Sequence, residues 1–185
     1  YPNLPVNKSE IRKKILNLRK KKNLSNLKIN PNVINTILSK AKCKGKILGG
    51  YYPYNYEINV MEILEKLEKK GYQISLPKIK KNYQMDFFYW STEDPLAVNK
   101  YGIAEPISKK IKYPDILLVP LVAFDKNLNR VGYGGGYYDR YIEKIKKVKK
   151  ILAIGMAFSF QEVKKLPTKE HDKKLDLIFT ESYIK

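Results

Sequence analysis

Residues 116–140 read ILLVPLVAFDKNLNRVGYGGGYYDR. The first nine form the most apolar extended run of the chain, the pattern of a central strand buried on both faces. Pro120 inside it has no N–H to give to a ladder, so it should mark the strand's end or a bulge. Gly132, Gly134, Gly135 and Gly136 then place four glycines in five positions. Without Cβ atoms in the way, backbone amides there are free to turn toward one point. Beyond them, Tyr141, Ile142, Ile145 and Val148 recur at helical spacing and predict a helix over residues 137–149. Amides gathered at a helix start, beside the positive end of its dipole, make an anion site. Arg130 before the glycines and Tyr137-Tyr138 after them go beyond what chain reversal needs. Asp139 falls in the first helical turn, where it either caps the helix or holds a cation bound to the same phosphates. The loop is not a Walker A loop, because Gly136 precedes Tyr137 rather than Lys-Ser/Thr. Nor is it the dinucleotide fingerprint, which needs glycine where Tyr137 stands.

Working outward, helical and extended patterns alternate with no repeat and no long linker. Ile11, Ile15 and Leu18 predict an amphipathic helix over residues 8–22. Asn30-Pro31 starts a second helix, with Val33, Ile34, Ile37, Leu38 and Ala41 on one face and Cys43 and Gly45 at its end. Residues 46–54 read as a buried strand. Asn59 and Glu62 have capping-box spacing before a third helix that carries Val60, Ile63, Leu64 and Leu67 up to Gly71. Residues 72–76 are a strand stopped by Pro77, and residues 85–90 another. Residues 92–114 look like loop, punctuated by Pro95, Gly102, Pro106 and Pro114. Strands are expected again over 151–157 and 175–180. The fold class is therefore α/β: a single-domain layered fold over residues 1–185, with a mostly parallel central sheet flanked by helices. Ligands of such sheets sit beyond the carboxyl ends of the strands.

Charge is the dominant feature of the composition. The chain of 185 residues carries 37 Lys and Arg against 18 Asp and Glu, a net charge of +19. A basic nucleic-acid-binding protein is the rival class that this suggests. Only Arg12, Arg19, Arg130 and Arg140 are arginines, however, and the lysines are spread through every segment. Arginine is the residue that forks onto guanine edges and phosphates, so the pattern favours a solvated surface over a specific nucleic-acid partner. No apolar run reaches the roughly 20 residues of a membrane span. No secretory leader opens the sequence, and Cys43 has no second cysteine to pair with. A cytoplasmic location is expected, with mitochondria as the second option and secretion excluded; no membrane partner is expected.

Read end to end, the sequence resembles the 5-formyltetrahydrofolate cyclo-ligase (methenyltetrahydrofolate synthetase) family. Lys8-Ser9-Glu10-Ile11-Arg12 is similar to its basic first helix. Leu48-Gly49-Gly50-Tyr51-Tyr52-Pro53 and Glu57-Ile58 match its first strand and following turn. Tyr101-Gly102-Ile103-Ala104-Glu105-Pro106 matches its Gly-Ile-x-Glu-Pro segment. Leu118-Val119-Pro120 through Phe124-Asp125 leads into the glycine loop. Ala157-Phe158, Gln161, Leu166-Pro167, His171-Asp172 and Thr180-Glu181 match its last third. Two positions depart: Gly135 stands where some members have lysine, and Leu128 where glycine is frequent.

The resemblance implies an enzyme that converts 5-formyltetrahydrofolate to 5,10-methenyltetrahydrofolate with ATP and Mg²⁺. It implies that ATP is held by Lys8, Ser9, Glu10, Ile11 and Arg12 and by Arg130, Val131, Gly132, Tyr133, Gly134, Gly135, Gly136, Tyr137 and Tyr138. Arg130, Tyr138 and Arg140 are the expected catalytic residues. Tyr52, Glu57 and Tyr101 are expected at the reduced folate, and Asp139 and Asp172 at Mg²⁺. A member with lost or altered activity is the second alternative, and a monomer is expected. Trp90 is either core or part of the folate wall. His171 either tunes the metal site or lies exposed in a loop. Asp125 either ends a strand or backs the metal site.

Overall fold

A computed structural model of the chain describes residues 7–30, 33–40 and 45–185. Its centre is a six-stranded sheet ordered β10-β9-β6-β1-β2-β3. The strands are β1 (Ile47–Gly49), β2 (Gln73–Ile79), β3 (Met85–Trp90), β6 (Ile116–Pro120), β9 (Leu152–Met156) and β10 (Leu177–Phe179). All neighbours run parallel except β2 and β3, which are antiparallel. The expected α/β class and mostly parallel sheet are what the structure has.

Strand β6 shows why the apolar run is unbroken. Ile116 and Leu118 point to one face, where they join Ile34 and Ile37 of α2 (Val33–Lys40) and Leu64 and Leu67 of α3 (Met61–Lys69). Leu117 and Val119 point to the other, against Tyr141, Ile142 and Ile145 of α4 (Tyr137–Lys146). Each alternate side chain meets a helix, so no position tolerates a polar residue. Pro120 ends β6 as expected. The carbonyls just beyond it, of Leu121 and Val122, accept from Nε2 of the buried Gln161, each at 2.9 Å.

The first helix, α1 (Lys8–Lys21), packs Ile11 and Ile15 against Val122, Ala123, Val131 and Leu166. Its stripe continues differently from expectation. Leu18 is exposed, while Arg19, in register with Ile11 and Ile15 at steps of four, is buried. Three further readings need correction. Pro77 does not stop β2: it sits within the strand, opposite Phe87. By then β1 has already ended opposite Ser75, so β2 has only one neighbour and the missing N–H breaks no ladder. The Asn59/Glu62 capping box does not form. Val60 is the cap residue, Asn59 Oδ1 accepts from Met61 N at 2.9 Å, and Glu62 pairs with Lys66. Residues 92–114 are not all loop, since β4 (Leu96–Val98) and β5 (Ala104–Pro106) form a two-stranded antiparallel ribbon. A second ribbon, β7 (Ala123–Phe124) with β8 (Arg130–Val131), leads into the glycine loop. Ala41 and Cys43 lie outside the described residues.

Asp125 settles as a structural residue of that second ribbon. It is fully buried and accepts from Asn127 N, Asn129 N, Asn129 Nδ2 and Leu166 N. Leu128, in the same turn, has φ 66°. That left-handed backbone is cheap for glycine and costs a branched residue on the order of 1 kcal/mol. The departure at Leu128 is thus a strained position, with the side chain packed on the core beside α4 as compensation.

Candidate active site

A cleft of about 910 Å³ opens beyond the ends of β1 and β6, walled by the loops after β1 and β8, the turn at Tyr83, the β4-β5 turn, α1 and the segment containing Lys169 and Asp172. It has two ends of different chemistry. One is built from α1 and the glycine loop, and the other from tyrosines and Glu57.

At the first end, Gly134 and Gly136 have φ of 106° and 69°. Gly136 is the cap residue of α4, and no side chain caps the helix. Asp139 therefore does not serve as the cap its position allows. Its Oδ1 instead accepts from Arg130 Nη2 at 3.3 Å and from Lys173 N at 3.2 Å. The second bond brings the segment containing Asp172 against Asp139. Asp172 Oδ2 in turn accepts from Lys8 Nζ at 2.5 Å and from Lys169 N at 2.9 Å. Burial works against the Asp172 charge, but the bonds from Lys8 and Lys169 outweigh it, so its carboxyl titrates below the usual range.

Arg12 donates from Nε to the Gly132 carbonyl at 2.7 Å, and its guanidinium lies about 3.5 Å from where a side chain at Gly134 would begin. Arg140 folds back, Nη1 to Gly135 O at 2.6 Å. A side chain on Gly135 would begin 2.6 Å from the Tyr137 ring, so a larger residue there requires that ring to shift. Arg130 is buried, lies over the Tyr138 ring at 5.8 Å, and leaves Nε without a partner. Burial lowers its pKa, an effect that Asp139 only partly opposes.

At the other end, Tyr52 and Tyr101 are exposed on the cleft wall, with Tyr51 and Tyr138 deeper. Glu57 Oε1 accepts from Tyr54 N at 2.8 Å and Oε2 from Tyr133 Oη at 3.0 Å. Burial nevertheless raises its pKa from 4.5 to about 7. Burial also raises the phenols of Tyr51, Tyr133 and Tyr138, so they stay neutral donors.

The structure thus brings Lys8, Arg12, Arg130, Val131, Gly132, Tyr133, Gly134, Gly135, Gly136, Tyr137, Tyr138, Asp139, Arg140 and Asp172 to one cleft with Tyr52, Glu57 and Tyr101. Three expected residues are elsewhere. Ser9 and Glu10 face solvent, and Ile11 is in the core. Trp90 is core, donating Nε1 to Asp94 O at 3.1 Å. His171 is an exposed loop residue on the rim of the same cleft, its Nε2 3.8 Å from Asp172 Oδ1. Sequence reasoning passed over Tyr83, which stacks obliquely on Tyr137 and carries Arg140 over its ring, and Arg19 behind the cleft. Tyr83 lay in a turn with no motif. Arg19 had one available signal, its place on the Ile11/Ile15 stripe.

Comparison with known proteins points the same way. The model of the 5-formyltetrahydrofolate cyclo-ligase family matches residues 5–181. A 5-formyltetrahydrofolate cyclo-ligase of Haemophilus influenzae is 33% identical over 137 residues, covering 70% of this chain and 72% of that protein. The Escherichia coli enzyme of the same name is 30% identical, with 72% and 77% covered. Among solved structures, a 5,10-methenyltetrahydrofolate synthetase from Mycoplasma pneumoniae superposes with a TM-score of 0.72 at 27% identity, covering 95% of this chain and 99% of that one. The Aquifex aeolicus synthetase gives 0.75 at 29% identity, with 96% and 91% covered.

Proposed function

The chain belongs to the 5-formyltetrahydrofolate cyclo-ligase family, and on that premise we propose that its cleft couples ATP cleavage to the conversion of 5-formyltetrahydrofolate into 5,10-methenyltetrahydrofolate. The observation that carries this reading is the two-ended cleft: cations and glycine amides at one end, flat aromatic walls with a carboxylate at the other. The chemical obstacle is the formyl oxygen, a poor leaving group. Transfer of the γ-phosphoryl to that oxygen, releasing ADP, turns it into phosphate. N10 then attacks the formyl carbon, closes the ring, and phosphate departs with the oxygen as N10 loses its proton. The protein's part in such transfers is positioning and charge stabilisation.

Arg12, Lys8 and the amides of residues 132–136 hold the triphosphate in this reading. Arg130, stacked on Tyr138, and Arg140 neutralise charge on the transferring phosphoryl. Glu57 accepts from the donor edge of the pterin, and Tyr52 and Tyr101 cover its faces. Asp139 and Asp172 suit a magnesium ion. Both are hard oxygen donors on adjacent segments, and each is engaged at one oxygen only by the hydrogen bonds described above. Among the described residues no group of three His, Cys, Asp or Glu could hold a metal alone, so phosphate and water would complete its shell, as Mg²⁺ prefers. The ion would supply neutralisation of phosphate charge. The protein acts as a monomer on a small molecule here, with its lysines a solvated surface.

Two measurements test this. ADP release by the chain with ATP and Mg²⁺ is expected to require 5-formyltetrahydrofolate and to match methenyl product, followed by its near-ultraviolet absorbance. Equal ADP with and without the folate would refute the coupling.

Glu57 supplies the second. In the folded chain it keeps a proton up to about pH 7 that the unfolded chain gives up near 4.5. Stability therefore falls as pH rises through that window, and kcat/KM for the folate rises as the carboxylate forms. Glu57→Gln is expected to be more stable than the parent above pH 7, on the order of 1–2 kcal/mol or a few degrees in Tm. Its kcat/KM should fall roughly tenfold and lose the acid limb, as one lost charge-assisted hydrogen bond implies. An unchanged pH profile in Glu57→Gln would show that another group titrates.

A further inference from the structure

Helix α1 carries two arginines in different settings. Arg12 sits on the cleft beside Gly132, whereas Arg19, nearly two turns on, is only 1% exposed behind it. Among the described residues no carboxylate stands within 4.0 Å of its guanidinium. Its donors go to neutral oxygens: Nη1 to Leu121 O at 3.3 Å, and Nη2 to Asn55 O at 2.7 Å and Tyr133 Oη at 2.5 Å. Nε has no partner. Burying a charge without an ion pair is costly, and an apolar side chain would fill the same stripe beside Ile11 and Ile15 without that cost. The arginine calls for a role outside packing.

That role is visible in what Nη2 joins. Asn55 and Tyr56 have φ of 49° and 62°, two consecutive left-handed residues that are not glycine, immediately before Glu57. Such a turn persists only where its surroundings hold it. Tyr133 belongs to the glycine loop, and its single hydroxyl hydrogen goes to Glu57 Oε2, so its oxygen accepts from Arg19. The contacts close a ring: Arg19 to Asn55, along the chain to Glu57, across to Tyr133, and back to Arg19.

Resting on the cleft assignment above, we propose that Arg19 is a positioning residue that fixes the Glu57 carboxylate through the Tyr133 hydroxyl, so that the folate end of the cleft is held in one arrangement. Arg19 touches neither substrate. It clamps the strained turn from one side and orients the phenol that holds Glu57 from the other.

Steady-state kinetics of the parent, Tyr133→Phe, Arg19→Lys and the double variant test this. Tyr133→Phe keeps the ring and removes the link. Its KM for 5-formyltetrahydrofolate should rise about tenfold while KM for ATP changes less than about twofold. Glu57 then loses a donor to its charged form, keeping the Tyr54 N–H and, among the described residues, the nearby Arg19, Tyr51 and Tyr138, so the acid limb of kcat/KM should move to higher pH. Arg19→Lys keeps the charge, but its ammonium ends one bond short of the Nη2 that donates to both Asn55 O and Tyr133 Oη, so it should show the same pattern. The double variant should be no worse than the weaker single one, because both cut one chain of contacts. Additive losses, a folate KM within twofold of the parent in Tyr133→Phe, or an ATP KM rising equally would overturn the proposal. Should Arg19→Lys fail to fold, Tyr133→Phe decides alone through its acid limb. An inactive parent would instead refute the cleft assignment, and this proposal with it.

Discussion

Arg130→Lys is expected to lose about a thousandfold in turnover while remaining folded, as removal of a guanidinium from a phosphoryl-transfer site does. The side chain is 4% exposed at the start of β8 and lies beneath the glycine loop, with Nη1 about 3.1 Å from where a Gly132 side chain would begin. Among the described residues only one of its contacts is an ion pair, Nη2 to Asp139 at 3.3 Å, and Nε is unpartnered. A buried cation with spare donors is an incomplete arrangement in the free protein, and burial depresses its pKa accordingly. A phosphoryl group bearing extra charge in the transition state would complete it. Lysine keeps the charge but loses the planar fork and the face that rests on Tyr138. The measurement is kcat with saturating ATP and folate, alongside Tm. Arg130→Lys within tenfold of the parent would assign the arginine to holding α4 through Asp139 rather than to the chemistry.

Such an arrangement was partly legible before any coordinates. The glycine loop could be read because four glycines, a preceding buried strand and a following helical stripe all demand the same strand-loop-helix passage. Strand β6 could be read because burial on both faces leaves no polar residue to confuse the pattern. Pro77 misled because the harm a proline does depends on whether a neighbour needs its N–H. That depended on the length of β1, only Ile47–Gly49, which the apolar run 46–54 overstates. The β4-β5 ribbon escaped because Ala97 and Val98 are exposed and its hydrogen bonds are between backbones, leaving no side-chain period. The folate end was the least legible. Glu57 was placed by resemblance alone, and its raised pKa arises from burial by residues distant in sequence. Arg19 reads as one more cation among Lys20, Lys21 and Lys22 until the helix is packed.

Asp139→Asn should cost stability as well as turnover. With Gly136 as the cap residue, asparagine has no helix cap to preserve. The substitution removes the one carboxylate paired with Arg130 among the described residues and leaves a buried guanidinium uncompensated. Breaking a buried pair in this way costs about 3–5 kcal/mol when fully enclosed; with Asp139 23% exposed and the contact at 3.3 Å, about 2 kcal/mol is expected. That corresponds to a fall of roughly 4–8 °C in Tm. Inorganic phosphate should recover part of the loss, because an anion bound in the loop can pair with Arg130 in place of the carboxylate. Turnover should fall about a hundredfold or more, since the residue both orients Arg130 and offers an oxygen to the magnesium site. Asp172→Asn is the control. Its partner Lys8 is 19% exposed, so the stability change should stay within about 1 kcal/mol. If both residues serve one ion, the two asparagine variants should require more Mg²⁺ for half-maximal rate by similar factors, although their Tm values differ. Normal turnover of Asp139→Asn at low Mg²⁺, or a raised Mg²⁺ requirement in only one of the two variants, would separate the carboxylates and leave Asp139 as a partner of Arg130 alone.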